Sequence, residues 1–237
     1  EDLFTSDADL MEIVREAFYR MSIVDNQYNK QNGLYTHMLP VELEATRYDA
    51  VEQLCDMESF FVKNNLTEVA KEKELIIKYT PIGDSVEVYA DSNRIEQVLT
   101  NLVSNAIKFT PNAGQIEITS RVLNARELQY DQSFEEDIKN LQGNYLQVCV
   151  EDHGIGIERK DLNHVFDKFA QIENSLSRQV GGSGLGLPIA RQLMESHNGA
   201  IWCDSEINKG SKFYFVIPVA NDKSNFNMIK KLFAWFP

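Results

Sequence analysis

The chain has 237 residues, 43% of them hydrophobic, and a formal net charge of −13. That length can bury one full-sized core plus an appendage, while no run of eighteen apolar residues offers a transmembrane span and the acidic N-terminus is unlike a signal peptide. The charge argues against a nucleic-acid partner, whose phosphates demand cations, and leaves any anion site dependent on local N–H groups, lysines and metal.

At the N-terminal end Leu10, Val14, Ala17, Met21, Val24 and Tyr28 repeat at alternating four- and three-residue steps, a heptad seam that Ser6 and Asp9 can cap. It reads as a dimerising helix or as an amphipathic helix packed on the rest of the chain. NKQNG at 29–33 is a helix stop and linker. A helix is expected from about Asp49 to Lys71, with Val51, Leu54, Cys55, Phe61 and Val69 inward, followed by strands at 74–80 and 86–90. The next helix, in NRIEQVLTNLVSNAIKFTP at 93–111, carries an apolar stripe at Ile95, Val98, Leu99, Val103, Ala106 and Ile107. Asn101, Asn105 and Lys108 fall at i, i+4 and i+7, on one face. Asparagine carbonyls suit Mg²⁺ and a lysine suits phosphate oxygens.

Strands at 115–122 and 144–151 are separated by an acidic stretch, 125–144, that reads as an extended hairpin or a short helix. A solvated insertion is favoured there over a partner-binding loop. Alternating Leu146, Val148 and Val150 lead into EDHGIGI at 151–157. This puts Asp152 at a strand end, where a carboxylate can accept from an exocyclic amine, and Gly154 and Gly156 where a flat ring can approach the backbone. VFDKFAQ at 165–171 spaces Phe166 and Phe169 one helical turn apart. GGSGLGLPIAR at 181–191 reads as a phosphate cradle feeding a helix: glycines uncover N–H groups, and Pro188 suits the first helical turn. In the tail, 221–237, Phe226, Ile229, Leu232, Phe233 and Phe236 have helical spacing. A packing helix or linker is preferred to a membrane-surface helix, which only Lys230 and Lys231 support. Cys55, Cys149 and Cys203 are far apart and lack metal spacing, so reduced, buried thiols in a cytosolic compartment are expected.

Four of these motifs, in this order, resemble the ATP-binding catalytic domain of sensor histidine kinases, within the wider family of type II topoisomerases, Hsp90 and MutL. NLVSNAIKFTP is similar to the N box, DHGIGI to the G1 box, FDKF to the F box and GGSGLGLPIAR to the G2 box; SHNGAIWCDSEINKGSKFYFVIP at 196–218 resembles the closing helix end and hairpin. The resemblance covers roughly 34–219. It implies an α/β two-layer sandwich of the Bergerat type, a mixed sheet with helices on one face, preceded over 1–33 by part of a dimerisation helix and followed from 221 by a linker or packing helix. ATP and Mg²⁺ are the implied cofactors. Asn105 would ligand Mg²⁺ and, with Lys108, form the catalytic pair; Asn101 and Lys108 would face the phosphates. Asp152 would read the adenine amine among Phe109, Gly154, Gly156 and Ile157. Phe166 and Phe169 would anchor a lid over 170–183, and Gly182, Ser183, Gly184, Leu185, Gly186 and Leu187 would hold the triphosphate. His153 stands where the family has a small polar residue, and HNG at 197–199 replaces the commoner HGG.

The ATP-hydrolysing branches carry a water-activating glutamate four residues before the magnesium asparagine, where this chain has Asn101, which cannot act as a base. Transfer to a side chain is therefore favoured over hydrolysis. The family's acceptor histidine precedes an acidic residue, yet His37, His153, His164 and His197 are followed by Met38, Gly154, Val165 and Asn198. The acceptor helix is expected outside this chain, which would be a fragment of a longer cytoplasmic or membrane-attached homodimeric sensor that passes phosphate to a response-regulator receiver domain. A nucleotide-binding switch without transfer, or a serine kinase of the dehydrogenase-kinase type, is the alternative.

Overall fold

The computed structural model describes residues 46–49, 60–61, 63–80, 86–167 and 184–220. Strand alternation organises the core. In β5 (Asn144–Asp152), Leu146, Val148 and Val150 lie opposite Ile217, Phe215 and Phe213 of β7 (Gly210–Pro218). On the other side Val150 faces Ile118 of β4 (Gln115–Asn124). All of these apolar side chains are buried, so one face of the sheet is continuous hydrocarbon. β2 (Ile76–Thr80) and β6 (Ala200–Glu206) complete the order β2-β4-β5-β7-β6. β2 runs parallel to β4 and every other pair is antiparallel, giving the mixed sheet that the motifs imply.

Two helices cover the apolar face. In α2 (Ser92–Phe109) the whole expected stripe is buried, with Leu102 added to it. Asp91 starts this helix, its carboxylate accepting from the N–H groups of Asn93 (3.0 Å) and Arg94 (3.2 Å). α4 (Gly186–Ser196) buries Pro188, Ala190, Leu193 and Met194. The order, the layers and the helix-covered face match the Bergerat-type sandwich.

Three local expectations are corrected. Asp49 does not begin a helix: it ends β1 (Thr46–Asp49), which pairs antiparallel with β3 (Glu87–Ala90). This ribbon is joined to the main sheet by a bridge between Val88 and Val219 and by the Ala220 N–H donating to Glu87 O (2.7 Å). Phe61 is buried as expected, but Val69 is 45% exposed. Asn65, in the left-handed region (φ 56°), interrupts the helical path and restarts it as α1 (Leu66–Glu72), which turns Leu66 and Ala70 inward instead. Residues 1–45, with the heptad seam and His37, lie outside the described residues, as do Val51, Leu54, Cys55 and the tail.

The third correction concerns 125–143. Of the two forms expected, the short helix is found and the hairpin is not, and the stretch is more than a solvated insertion. Two 3₁₀ turns and α3 (Glu135–Ile138) set Leu128, Phe134 and Ile138 into the core. Phe134 meets Phe166 edge-on (5.9 Å), and Phe166 meets Phe213 (6.3 Å). Trp202, stacked on Tyr214 across the opposite face of the sheet, donates its indole N–H to Gln129 O (3.1 Å). One nitrogen of Arg191 of α4, Nη2, lies within hydrogen-bond distance of both Asp137 carboxylate oxygens (2.7 and 2.9 Å). The connection thus grips both faces beside the edge strand β6, which it protects. Cys149 and Cys203 are free and buried, with burial pushing the Cys149 thiol up to about 12, as inert thiols should be.

Candidate functional site

α2 is the axis of the site. From Asn101 to Phe109 it advances about 12 Å, and it meets a different structure at each end of that span.

At the Phe109 end the site is built from sheet backbone. Asp152 closes β5 and is 4% exposed. Its carboxylate accepts from Gly154 N (2.8 Å) and from the backbone N–H of Ser211. Burial outweighs these donors and pushes the carboxyl up to about 6. Gly154 is required by proximity, since a Cβ there would lie 2.6 Å from both Phe109 O and Asp152 Oδ1. Gly210 is required by proximity and conformation together: its φ is +110°, and a Cβ would fall 1.9 Å from Asp152 O. Gly156 is buried against the backbone of Glu206. Ile157, also buried, donates its N–H to Ser205 Oγ (2.8 Å), which lies 2.8 Å from Gly210 O and 3.0 Å from Ser211 Oγ.

At the Asn101 end the site is built from helix termini. Gly184 (φ +65°) and Leu185 lead into α4, and among the described residues no side chain caps its first turn. An uncapped helix start presents N–H groups and the positive end of the helix dipole. Asn101 ties the two helices together, its Nδ2 donating to Gly186 O (2.9 Å). An ionised glutamate at this position could not donate that bond. Leu187 is half-buried in the first turn of α4.

Asn105 and Lys108 lie between the two ends, both half-buried. The Asn105 side chain makes no hydrogen bond to any described residue, so its amide oxygen is available to a hard cation. Lys108 rests its ammonium over the Phe109 ring, 4.8 Å from the centroid, with its pKa lowered by burial. Phe166 is buried in the aromatic cluster, while Phe169, Gly182 and Ser183 lie outside the described residues.

Several supporting residues escaped the sequence reading. Gly210 and Ser211 were within reach, because Asn208 and Gly210 mark a hairpin turn whose register sets Ser211 opposite Asp152. Lys73 was not. Its ammonium donates to Ile107 O (2.7 Å), Lys108 O (3.1 Å) and Thr110 O (2.6 Å), capping the end of α2 from 34 residues upstream. The histidines also need revision. His164 has an acidic partner after all, with Asp167 Oδ2 at 2.9 Å from Nδ1, three residues on rather than one.

Comparison with known proteins agrees with this geometry. Residues 90–221, more than half of the chain, match the family described as "Histidine kinase-, DNA gyrase B-, and HSP90-like ATPase". The sensor histidine kinase WalK of Bacillus subtilis is 34% identical over 159 residues, covering 67% of this chain and 23% of WalK. The autoinducer 2 sensor kinase/phosphatase LuxQ of Vibrio vulnificus is 35% identical over 159 residues, covering 67% of this chain and 17% of LuxQ. The chain therefore spans less than a quarter of the length of these two relatives. The catalytic domain of histidine kinase ThkA superposes with a TM-score of 0.54 at 28% identity, covering 74% of this chain and 95% of that domain. Family match, fold and the order of the motifs agree: the chain belongs to the histidine kinase-, DNA gyrase B- and HSP90-like ATPase family and carries its ATP-binding domain.

Proposed function

We propose that this chain is the ATP–Mg²⁺-binding catalytic domain of a sensor histidine kinase, donating the γ-phosphoryl group to a histidine on a dimerisation helix outside residues 1–237. One observation carries the reading. A single helix, α2, meets a buried carboxylate in a glycine-walled turn at its Phe109 end and the start of α4 at Asn101, about 12 Å back along its axis, a spacing that suits a purine at one end and a polyphosphate at the other. Asp152 accepts the adenine amine, with Phe109, Gly154, Gly156 and Ile157 around the ring. The phosphates fall to Lys108 and the start of α4 from Gly184 to Leu187, and the motif resemblance adds Gly182 and Ser183, which lie outside the described residues. Asn105 offers an amide oxygen that no described residue occupies and fits Mg²⁺. When bound, Mg²⁺ supplies neutralisation of charge on the phosphate oxygens. Lys108 and the α4 N-terminus hold the triphosphate in line with an incoming imidazole nitrogen; the new N–P bond forms as the bond from Pγ to the ADP oxygen breaks.

The histidines of the described residues support an acceptor elsewhere. His197 is 4% exposed with both ring nitrogens engaged, and His153 Nδ1 lies against Gln115 O. His164 has the acidic partner and an exposed ring, but it stands on the short turn His164–Phe166, which Val165 and Phe166 anchor in the core of this domain rather than on a dimerisation helix. Partners are thus ATP, an acceptor helix, a second copy through that helix and a receiver domain, with the domain facing the cytoplasm; among the described residues no helix is long and apolar enough to cross a membrane.

The test is incubation with γ-labelled ATP. The chain alone should bind ATP, barely turn it over and acquire no acid-labile, base-stable label; adding the acceptor hairpin of the parent protein should produce that label on the hairpin. An acid-stable product would favour the serine-kinase alternative. Label on His164 or His37 of the isolated chain, or ATP hydrolysis at the rate of the topoisomerase branch, would overturn the reading.

A further inference from the structure

His197 is a buried titratable group outside every motif assigned to the site. Its Nδ1 donates to Leu193 O (2.6 Å), which fixes the tautomer and leaves Nε2 as an acceptor for the Asp91 N–H (3.0 Å). The two bonds have different consequences. The first closes the last turn of α4. The second crosses to the N-cap of α2, the residue whose carboxylate already holds the N–H groups of Asn93 and Arg94.

This places two cross-ties between the same pair of helices. Asn101 joins Gly186 at the start of α4, and Asp91 joins His197 at its end. The helices therefore run antiparallel along their contact. The ties are ten residues apart on α2 and eleven on α4, or about 15 and 16 Å. A single tie would leave the helices free to scissor about it, whereas two ties at matched spacing fix their mutual angle. That angle decides where the α4 N-terminus lies relative to Asn105 and Lys108. Asp152, Gly154 and Ser211 depend on the sheet and do not share this constraint.

We propose that His197 is a positioning residue that sets the angle between α2 and α4 and so shapes the phosphate end of the nucleotide site. The proposal rests on the nucleotide-binding reading above. Burial keeps the imidazole neutral, as the acceptor role requires; Asp91 and Arg94 are the charged groups that face it, the first favouring protonation and the second opposing it.

The test separates the two ends of the ligand. Wild type, His197→Leu and His197→Gln are compared for Mg²⁺–ATP binding by calorimetry and adenosine binding by NMR titration. Leucine removes both ring bonds and strands a buried N–H, whereas the glutamine amide oxygen reaches the position of Nε2 and can still accept from Asp91 N. Mg²⁺–ATP affinity should fall about tenfold in His197→Leu, the worth of one such bond, with adenosine affinity within about twofold of wild type. His197→Gln should recover most of the loss. Equal Mg²⁺–ATP affinity in wild type and His197→Leu overturns the proposal, as do parallel losses for ATP and adenosine, or a glutamine variant no better than leucine. Should His197→Leu fail to fold, His197→Asn takes its place: its amide reaches Leu193 O but not Asp91 N, so it should lose ATP affinity where His197→Gln keeps it, and equal behaviour overturns the proposal. If wild type itself binds no Mg²⁺–ATP, the nucleotide reading fails rather than the role of His197.

Discussion

The two ends of α2 face the site with different materials. At Phe109 the partners are strand ends and turns whose positions are fixed by ladder register: Asp152 lies opposite both Ile116 and Ser211, and Gly210 leaves no room for a side chain. At Asn101 the partner is another helix, held by side-chain amides and rings rather than by a ladder. A rigid, backbone-built wall suits a planar base whose shape never changes. A helix pair aligned by side-chain ties suits a polyphosphate, which is held by N–H groups, a lysine and a cation rather than by a fitted wall. The first should fail through single chemical groups; the second should fail through loss of charge or alignment.

The largest expected effect lies at the sheet end. Asp152→Ala removes a charge-assisted acceptor worth about 1.5–3 kcal/mol, so ATP binding should weaken roughly ten- to a hundredfold by calorimetry. Asp152→Asn sharpens the comparison. The Asp152 pKa is raised to about 6 from an ordinary 3.8. The folded protein therefore binds this proton more tightly than the unfolded chain, and the group's contribution to stability declines as pH rises through the window from about 4 to 6. Above that window the ionised carboxylate is a cost, which an amide avoids. Asp152→Asn should stabilise the ligand-free domain by about 1–2 kcal/mol at pH 7.5 while weakening adenosine binding. Wild-type affinity for adenosine, which lacks titrating phosphates, should in turn fall as pH drops below about 6. A flat profile, or a variant that is both less stable and unchanged in affinity, would place the base elsewhere.

At the helix end the expected effect is smaller and depends on metal. If Asn105 ligands Mg²⁺, Asn105→Ala should erase the Mg²⁺-dependent gain in ATP affinity, roughly tenfold, and leave adenosine binding intact. Titration with and without Mg²⁺ reads this directly. The same enhancement in both proteins would remove Asn105 from the metal site and leave Lys108 and the α4 N-terminus to carry the phosphates alone.

Much of this division was legible in the chain. The stripe from Ile95 to Ile107 and the alternation of Leu146, Val148 and Val150 are local periodicities, and each sorts residues to one face before any tertiary contact exists. The two glycine motifs were legible because glycine is needed where backbone meets backbone, as Gly154 does against Phe109. Long-range ties were not. Neither Lys73 nor His197 carries a local mark of its partner, since a lone cation or imidazole looks the same whether solvated or capping a distant helix. The short helix in the 125–143 connection was among the forms expected, but its packing role was hidden for a related reason. Its acidic residues dominate the composition, while its anchors are three well-spaced apolar residues and the Asp137–Arg191 ion pair, meaningful only once β6 and α4 are in place. The positive φ of Asn65, which moved Val69 outward, is likewise a single-residue event that periodicity averages away.

Lys73 offers the smallest perturbation and the finest test of which end owns the last turn of α2. Its three donors hold Ile107, Lys108 and Thr110 carbonyls at the negative end of the helix, where a cation is worth about 0.3–1 kcal/mol. Lys73→Met keeps the aliphatic stem and removes the ammonium. Stability should fall by about 1 kcal/mol in thermal unfolding, without loss of the fold. Because Phe109 O packs against Gly154, fraying this turn should loosen the adenine wall, so adenosine and ATP affinities should drop together by roughly two- to threefold. A drop confined to ATP would instead assign the turn to the phosphate end through Lys108, and the boundary between the two regions would move one helical turn toward the sheet.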